Sequence, residues 1–215
     1  MIISPKYDEA GSFHDGIARV KIEKVWKYID KNGLAVTNSD YTGLRDFSEG
    51  MGAFEQFGKW GFVDKTGTEV IPAKWEKVYS FKNGMANVFK GSDCGMIDKT
   101  GKEVVPVKYS SFNASIEFHE GMGKVKSYYD SGYGFVDTTG KVIIPLTYKN
   151  AGDFSEGYAP VSNGLWKFVN KMGNFIFLAN CTDANSFSEG LAAVKINEKW
   201  GFIDKAGKVV VEAKF

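Results

Sequence analysis

One pattern recurs six times along this chain at a spacing close to 34 residues, and only a repeat architecture satisfies it. The element Phe-x-x-Gly stands at Phe13 to Gly16, Phe47 to Gly50, Phe81 to Gly84, Phe118 to Gly121, Phe154 to Gly157 and Phe187 to Gly190. A short pair follows each, reading Trp26-Lys27, Trp60-Gly61, Cys94-Gly95, Tyr133-Gly134, Trp166-Lys167 and Trp200-Gly201. A turn sequence of the type Asp-Lys-x-Gly comes next, ending at Gly33, Gly67, Gly101, Gly140, Gly173 and Gly207, and each unit closes on a Val/Ile-rich run. The units are residues 7–40, 41–74, 75–108, 109–147, 148–180 and 181–214, of 34, 34, 34, 39, 33 and 34 residues.

Each unit reads as three strands. Strand A follows the first glycine, as in Gly190 to Ile196, and alternates with the period of two that a strand requires. Its second residue after the glycine is always Ala or Gly (Ala18, Gly52, Ala86, Gly123, Ala159, Ala192), so something crowds that face. Strand B, as in Lys199 to Asp204, is apolar on both faces and is therefore covered on both. The turn sequence suits a type I turn with a left-handed glycine leading into strand C. Proline cannot donate to a ladder; it occurs in strand C (Pro5, Pro72, Pro106, Pro145) and once in strand A (Pro160), never in strand B. An A-B-C meander with B in the middle follows.

The predicted architecture is all-β: six tandem three-stranded repeats in a propeller-like closed ring, forming one domain over residues 1–215. An open β-solenoid is the alternative, because Ile2 to Tyr7 repeats the strand C segment Val209 to Phe215 and leaves a ring with one strand too many.

The succession of Phe-Ser-Glu-Gly-Leu-Ala-Ala-Val (187–194), Lys-Trp-Gly-Phe-Ile-Asp-Lys-Ala-Gly (199–207) and Val-Ile-Pro-Ala-Lys (70–74) resembles the WG, or KWG, repeat family of bacterial proteins over essentially the whole chain. The resemblance implies an interaction module without a shared active-site motif. Units 1 and 5 depart from it, with Trp-Lys for Trp-Gly and no Ile-Pro.

Composition narrows the function. A net charge of +1 offers no field to hold a phosphate backbone or an anionic membrane, so neither nucleic acid nor membrane is an expected partner. No stretch is long and apolar enough for a spanning helix, and Met1 to Lys6 lacks the regions of a signal peptide. The expected location is cytoplasmic for the chain as given, unless it is cut from a longer exported protein.

The candidate residues are few. The residue before each strand-A glycine is Asp15, Glu49, Asn83, Glu120, Glu156 or Glu189; in a closed ring five carboxylates would surround one mouth of the channel, a possible cation site. The competing reading has each one satisfy local turn amides. Unit 4 is longer than the others, and its A-to-B insertion holds Tyr128, Tyr129 and Asp130, a mixture suited to ligand recognition. The aromatic residues of the Trp-Gly position read as core, the Gly beside them as room for a neighbouring side chain, and Cys94 and Cys181 as buried free thiols. His14 and His119 read as exposed turn residues. No residue is expected to be catalytic, no metal is assigned, and no cofactor is implied. The expected function is a non-catalytic scaffold for a protein or peptide partner. The alternatives are a lectin-like carbohydrate-binding module and a structural or cation-stabilised accessory domain of a larger protein.

Overall fold

The computed structural model describes all residues except 1–2, 4–5, 38, 111–114, 128–131, 177–180 and 213–215. Residues 1–107 with 111–115 form one compact unit, and residues 108–110 with 116–215 form a second.

Strands A and B form in every repeat. They are Ile17–Ile22 with Val25–Asp30, Met51–Gln56 with Lys59–Asp64, Met85–Lys90 with Asp93–Asp98, Met122–Lys126 with Tyr133–Asp137, Tyr158–Ser162 with Trp166–Asn170, and Leu191–Ile196 with Lys199–Asp204. Strand C is Glu69–Trp75, Glu103–Ser110, Val142–Tyr148, Phe175–Ile176 and Val209–Val211, and it pairs with strand B of its own sheet. In the first repeat single bridges, Ile29 to Ala35 and Trp26 to Tyr41, take its place.

The three-strand expectation is corrected by a fourth strand ahead of strand A, the lead strand. It is Glu9–Ala10, Gly43–Leu44, Lys77–Val78, Phe118–His119, Asn150–Ala151 or Cys181–Ala184, antiparallel to strand A. Five sheets are therefore four-stranded meanders, and strand A lies inside the sheet. Pro160 fits there because its position gives the lead strand only a carbonyl. It accepts the Gly152 N–H at 2.9 Å, as Ala53 accepts from Arg45 and Ala193 from Asn185, both at 3.0 Å.

The lead strand turns into strand A at Phe-x-x-Gly. Ser48 and Met51 exchange two backbone hydrogen bonds of 3.0 and 3.1 Å around Glu49 (φ 52°) and Gly50 (φ 82°). Two successive positive φ values make this a two-residue type I′ hairpin, whose twist matches the strands it joins. Asp15, Asn83, Glu120, Glu156 and Glu189 share the conformation. At the other end, Asp64 accepts the Gly67 N–H on its carbonyl and the Thr66 and Thr68 N–H groups on its carboxylate, which builds the expected type I turn with left-handed Gly67 (φ 83°).

The crowding of strand A has a local cause. A Cβ on Gly52 would lie 2.3 Å from the Phe47 ring of the same repeat, so this anchor Phe folds back over the small residue and fills its space. From there it reaches the sheet before it. Ring centroids of Tyr28 and Phe47, Phe62 and Phe81, Phe135 and Phe154, and Phe168 and Phe187 lie 4.7, 4.8, 4.9 and 4.8 Å apart. All eight of these residues belong to the apolar clusters that bind neighbouring sheets, where burial at about 25 cal/mol per Å² is the main source of stability.

The glycine of the Trp-Gly pair makes room for backbone, where a side chain was expected. Opposite Gly61 the register slips: Trp60 pairs with Trp75 and Phe62 with Ile71, so strand C bulges through Pro72 to Lys74. A Cβ on Gly61 would stand 2.4 Å from the Ile71 carbonyl oxygen and 2.7 Å from the Ala73 nitrogen. The same slip faces Gly134, between Tyr148 and Ile144, and contains Pro145. In unit 5, where Lys167 replaces the glycine and no proline is present, the described strand C residues pair Phe168 with Ile176 and Val169 with Phe175.

Candidate functional site

The structure gives four of the six residues before the strand-A glycines, Asp15, Glu49, Glu120 and Glu156, specific side-chain partners. Within each compact unit, the carboxylate of one repeat reaches the hairpin of the next. Glu49 accepts the Asn83 and Gly84 N–H groups at 2.6 and 2.9 Å, with Lys99 Nζ 3.4 Å away. Glu120 accepts from Glu156 and Gly157 at 2.6 and 2.9 Å, with Lys171 at 3.3 Å. Asp15 accepts the Gly50 N–H at 2.7 Å with Lys65 at 3.8 Å, and Glu156 accepts from Gly190 at 3.0 Å with Lys205 at 3.1 Å.

Two N–H groups that point the same way at successive positive φ values make an anion-binding nest, and the Lys of the Asp-Lys-x-Gly turn completes it. The amides belong to the following repeat, some 34 residues on, rather than to the carboxylate's own turn. The left-handed conformation of Glu49 and its equivalents, unfavourable for an L-residue with a long side chain, is held in place by these bonds. The Gly84 N–H, then the Asn83 N–H and Lys99, hold the Glu49 carboxyl below its ordinary range. For Glu120 burial pushes upward, but the Gly157 N–H, Lys171 and the Glu156 N–H prevail and its carboxyl is also lowered. Positive groups thus occupy the place that a bound cation would take, and among the described residues no three His, Cys, Asp or Glu side chains gather into a metal-binding group.

The aromatic residues of the Trp-Gly position are half-buried, and cations cover them. The Arg45 guanidinium lies 5.1 Å from the Trp60 ring, the Lys21 ammonium 5.5 Å from Trp26 and the Lys126 ammonium 4.9 Å from Tyr133. Cys94 and Cys181 are free and buried, and burial pushes the Cys94 thiol up to about 11. His14 lies 3.9 Å from Asp46, and His119 lies 3.9 Å from Asp153 and from Glu117. Arg19 and Lys124 bind the same two aspartates at 2.8 and 2.9 Å.

Variation between repeats concentrates at the A-to-B hairpins. Tyr128, Tyr129 and Asp130 lie outside the described residues; Ser127 and Gly132, which flank them, are joined by a 2.9 Å backbone hydrogen bond. Sequence reasoning missed Phe57. It sits at the tip between Met51–Gln56 and Lys59–Asp64, 91 % exposed and with φ 50°. The signal was there: an aromatic before Gly58 between two strands, where Asn or Asp is the usual choice. Leu165, at the corresponding tip of the fifth repeat, is also exposed.

Meanders of one design, knit to their neighbours by an anchor ring and a carboxylate nest, define an all-β tandem-repeat protein. The WG containing repeat matches residues 1–26, 28–60, 60–92, 95–127, 133–164, 168–200 and 200–215, and the chain belongs to this family. No curated protein matches it. Among solved structures it is similar to BamB from Moraxella catarrhalis (15 % identity, 94 % of this chain and 72 % of that one, TM-score 0.41). It is also similar to Kluyveromyces lactis Hsv2 (10 % identity, 90 % and 72 %, TM-score 0.37) and to a eukaryotic initiation factor (12 % identity, 96 % and 65 %, TM-score 0.49).

Proposed function

We propose that this chain is a non-catalytic scaffold that binds a protein or peptide through its A-to-B hairpin tips. The observation that supports the reading is Phe57. A bulky residue in the left-handed region costs about 1–2 kcal/mol, and an aromatic ring held in water contributes nothing to the core. Asn would serve the turn better, so the ring is retained for what it contacts outside the fold. Leu165 presents an apolar group from the corresponding hairpin of the fifth repeat, and Tyr128 and Tyr129 fall in the A-to-B insertion of the sequence. The recurring carboxylates and the lysines of the turns are engaged in holding repeats together, which leaves the variable tips as the part free to specialise.

Peptides selected from a displayed library on the wild-type chain test this. Phe57→Asn is expected to raise the melting temperature while weakening those peptides at least about tenfold, as loss of an interface hot spot does. Peptides that bind the variant equally well, or a chain that retains oligosaccharides and selects no peptide, would remove the reading.

A further inference from the structure

We infer that the junction between the second and third sheets is a receptor for an acidic side chain of a peptide partner, with Arg45 as the group that binds its carboxylate. The inference rests on the reading of the chain as a peptide binder and adds what that peptide must carry. The chain has two arginines, and they are placed differently. Arg19 donates from Nε to Asp46 at 2.8 Å across the first junction, and Lys124 makes the equivalent pair with Asp153 at 2.9 Å. In both cases the acid is the residue before the next anchor Phe. Arg45 lies in the junction after that of Arg19, and there Ser80 takes the place of the acid. Its guanidinium forms no hydrogen bond or ion pair among the described residues. Glu55, in the same sheet, accepts the Thr42 hydroxyl at 3.2 Å instead.

Two rings hold the unpaired cation. The Arg45 guanidinium lies 5.1 Å from the Trp60 ring of the second sheet and 5.8 Å from the Tyr79 ring of the third, and all three residues are half-buried. A guanidinium stacked in this way keeps its charge and loses its freedom, while its planar fork can still donate to both oxygens of a carboxylate. The backbone makes room for it. Arg45 stands opposite Ala53, whereas in the first repeat Gly11 stands opposite Arg19, so each pair joins one long residue to one small one.

Arg45 Nε and Trp75 Nε1 are also two of three buried side-chain polar atoms that bind nothing among the described residues. Trp75 is the ladder partner of Trp60, which sets both indoles on one face of the sheet. Both orphans are donors, and a buried donor without an acceptor is costly to keep. What this junction lacks is therefore an acceptor with a negative charge, and the two filled junctions show its chemistry, since an aspartate carboxylate closes each. Phe57 stands three residues before Trp60 on the same hairpin, so a peptide that covers the tip has a short reach to Arg45.

Peptides selected from a displayed library on the wild-type chain test the inference, together with Arg45→Gln and Phe57→Asn. The selected sequences should share one Asp or Glu at a fixed position, and changing it to Asn or Gln should weaken binding to the wild type at least about tenfold. Arg45→Gln should bind the acidic and amide forms equally. Phe57→Asn should weaken both forms and keep the preference for the acid. In the wild type, where no variant has to fold, the Arg45 Nε–H resonance should move when the acidic peptide binds, and that of Arg19 should not. Selected peptides without a shared acid overturn the inference, as does an Arg45 resonance that stays in place or an Arg45→Gln chain that still prefers the acid. Peptides that depend on Phe57 and ignore Arg45 overturn it while leaving the reading of the hairpin tips intact. A library that yields no peptide removes that reading and this inference with it.

Discussion

The Glu49 carboxylate binds the Gly84 N–H at 2.9 Å although the two residues stand 35 positions apart. That distance is one repeat plus one residue, so the contact joins the equivalent hairpins of neighbouring sheets. Glu49→Gln keeps the shape and removes the charge. It is expected to cost roughly 1 kcal/mol, the low end for a hydrogen bond to a charged group because the site is partly solvated. Urea denaturation of the two proteins at neutral pH measures it.

The same bonds fix how acid acts. Glu49, Glu120 and Glu156 all have their carboxyl pKa lowered in the folded chain, the last chiefly by Lys205, and so do the turn residues Asp64, Asp98 and Asp137, chiefly by the hydroxyls of Thr66, Thr100 and Thr139. A folded pKa below the unfolded one gives stability that is present above the ordinary carboxylate range, near pH 4, and is lost as pH falls through the folded values. The denaturation midpoint should therefore be flat near neutrality and fall steeply below about pH 4, and Glu49→Gln should show a shallower fall.

Tyr28 supplies the alkaline counterpart. Its hydroxyl donates to the Ala53 and Arg45 carbonyls of the following repeat, and burial, with the Asp46 charge, pushes its pKa well above the ordinary tyrosine value. A folded pKa raised in this way gives stability that is complete below the unfolded pKa of about 10 and declines as pH rises past it. Tyr28→Phe should cost about 1–2 kcal/mol at neutral pH, since the Arg45 carbonyl loses its donor while the Ala53 carbonyl keeps the Arg45 N–H, and should reduce that alkaline decline. Denaturation of both proteins from neutrality to about pH 11 checks it.

Gly61→Ala places a methyl group against the Ile71 carbonyl and the Ala73 nitrogen, neither of which is a flexible side chain. A loss of about 2–3 kcal/mol is expected, as for other overpacked sites. Lys27→Ala, at the equivalent half-buried position of a repeat without the Ile-Pro bulge, should change stability by less than about 0.5 kcal/mol. Thermal unfolding of the pair separates the two effects.

The thiols Cys94 and Cys181 should be inert to an aromatic disulfide reagent in the native protein and react fully in denaturant, because burial raises both pKa values and covers both sulfurs. Rapid labelling of native protein would contradict their placement.

The sequence made some of these features plain and hid others for physical reasons. Strands A and B and the turn at Asp64 to Gly67 were legible because period-two alternation and left-handed glycine are local signals. The lead strand was not, because Gly43–Leu44 and Lys77–Val78 are two residues long, and alternation has no meaning over two residues. Gly61 was read as room for a side chain; a bulge in the partner strand is a register property, which the composition of one strand does not contain. Glu49 and Glu156 were visible as a recurring acid, and the competing expectation placed their donors within their own turn. The donors are instead one repeat away, a separation that no local rule links to the carboxylate.

The reach of each carboxylate to the very next hairpin has a consequence for how such a chain changes over generations. Every junction inside a compact unit has the same two halves, so a copy of residues 41–74 inserted beside the original would meet on each side the face it already fits. A gain or loss of half a unit would leave an acid without its nest and a ring without its cover. Genes of this kind are therefore expected to lengthen and shorten in whole units, each step nearly neutral for the fold, while the hairpin tips diverge one at a time.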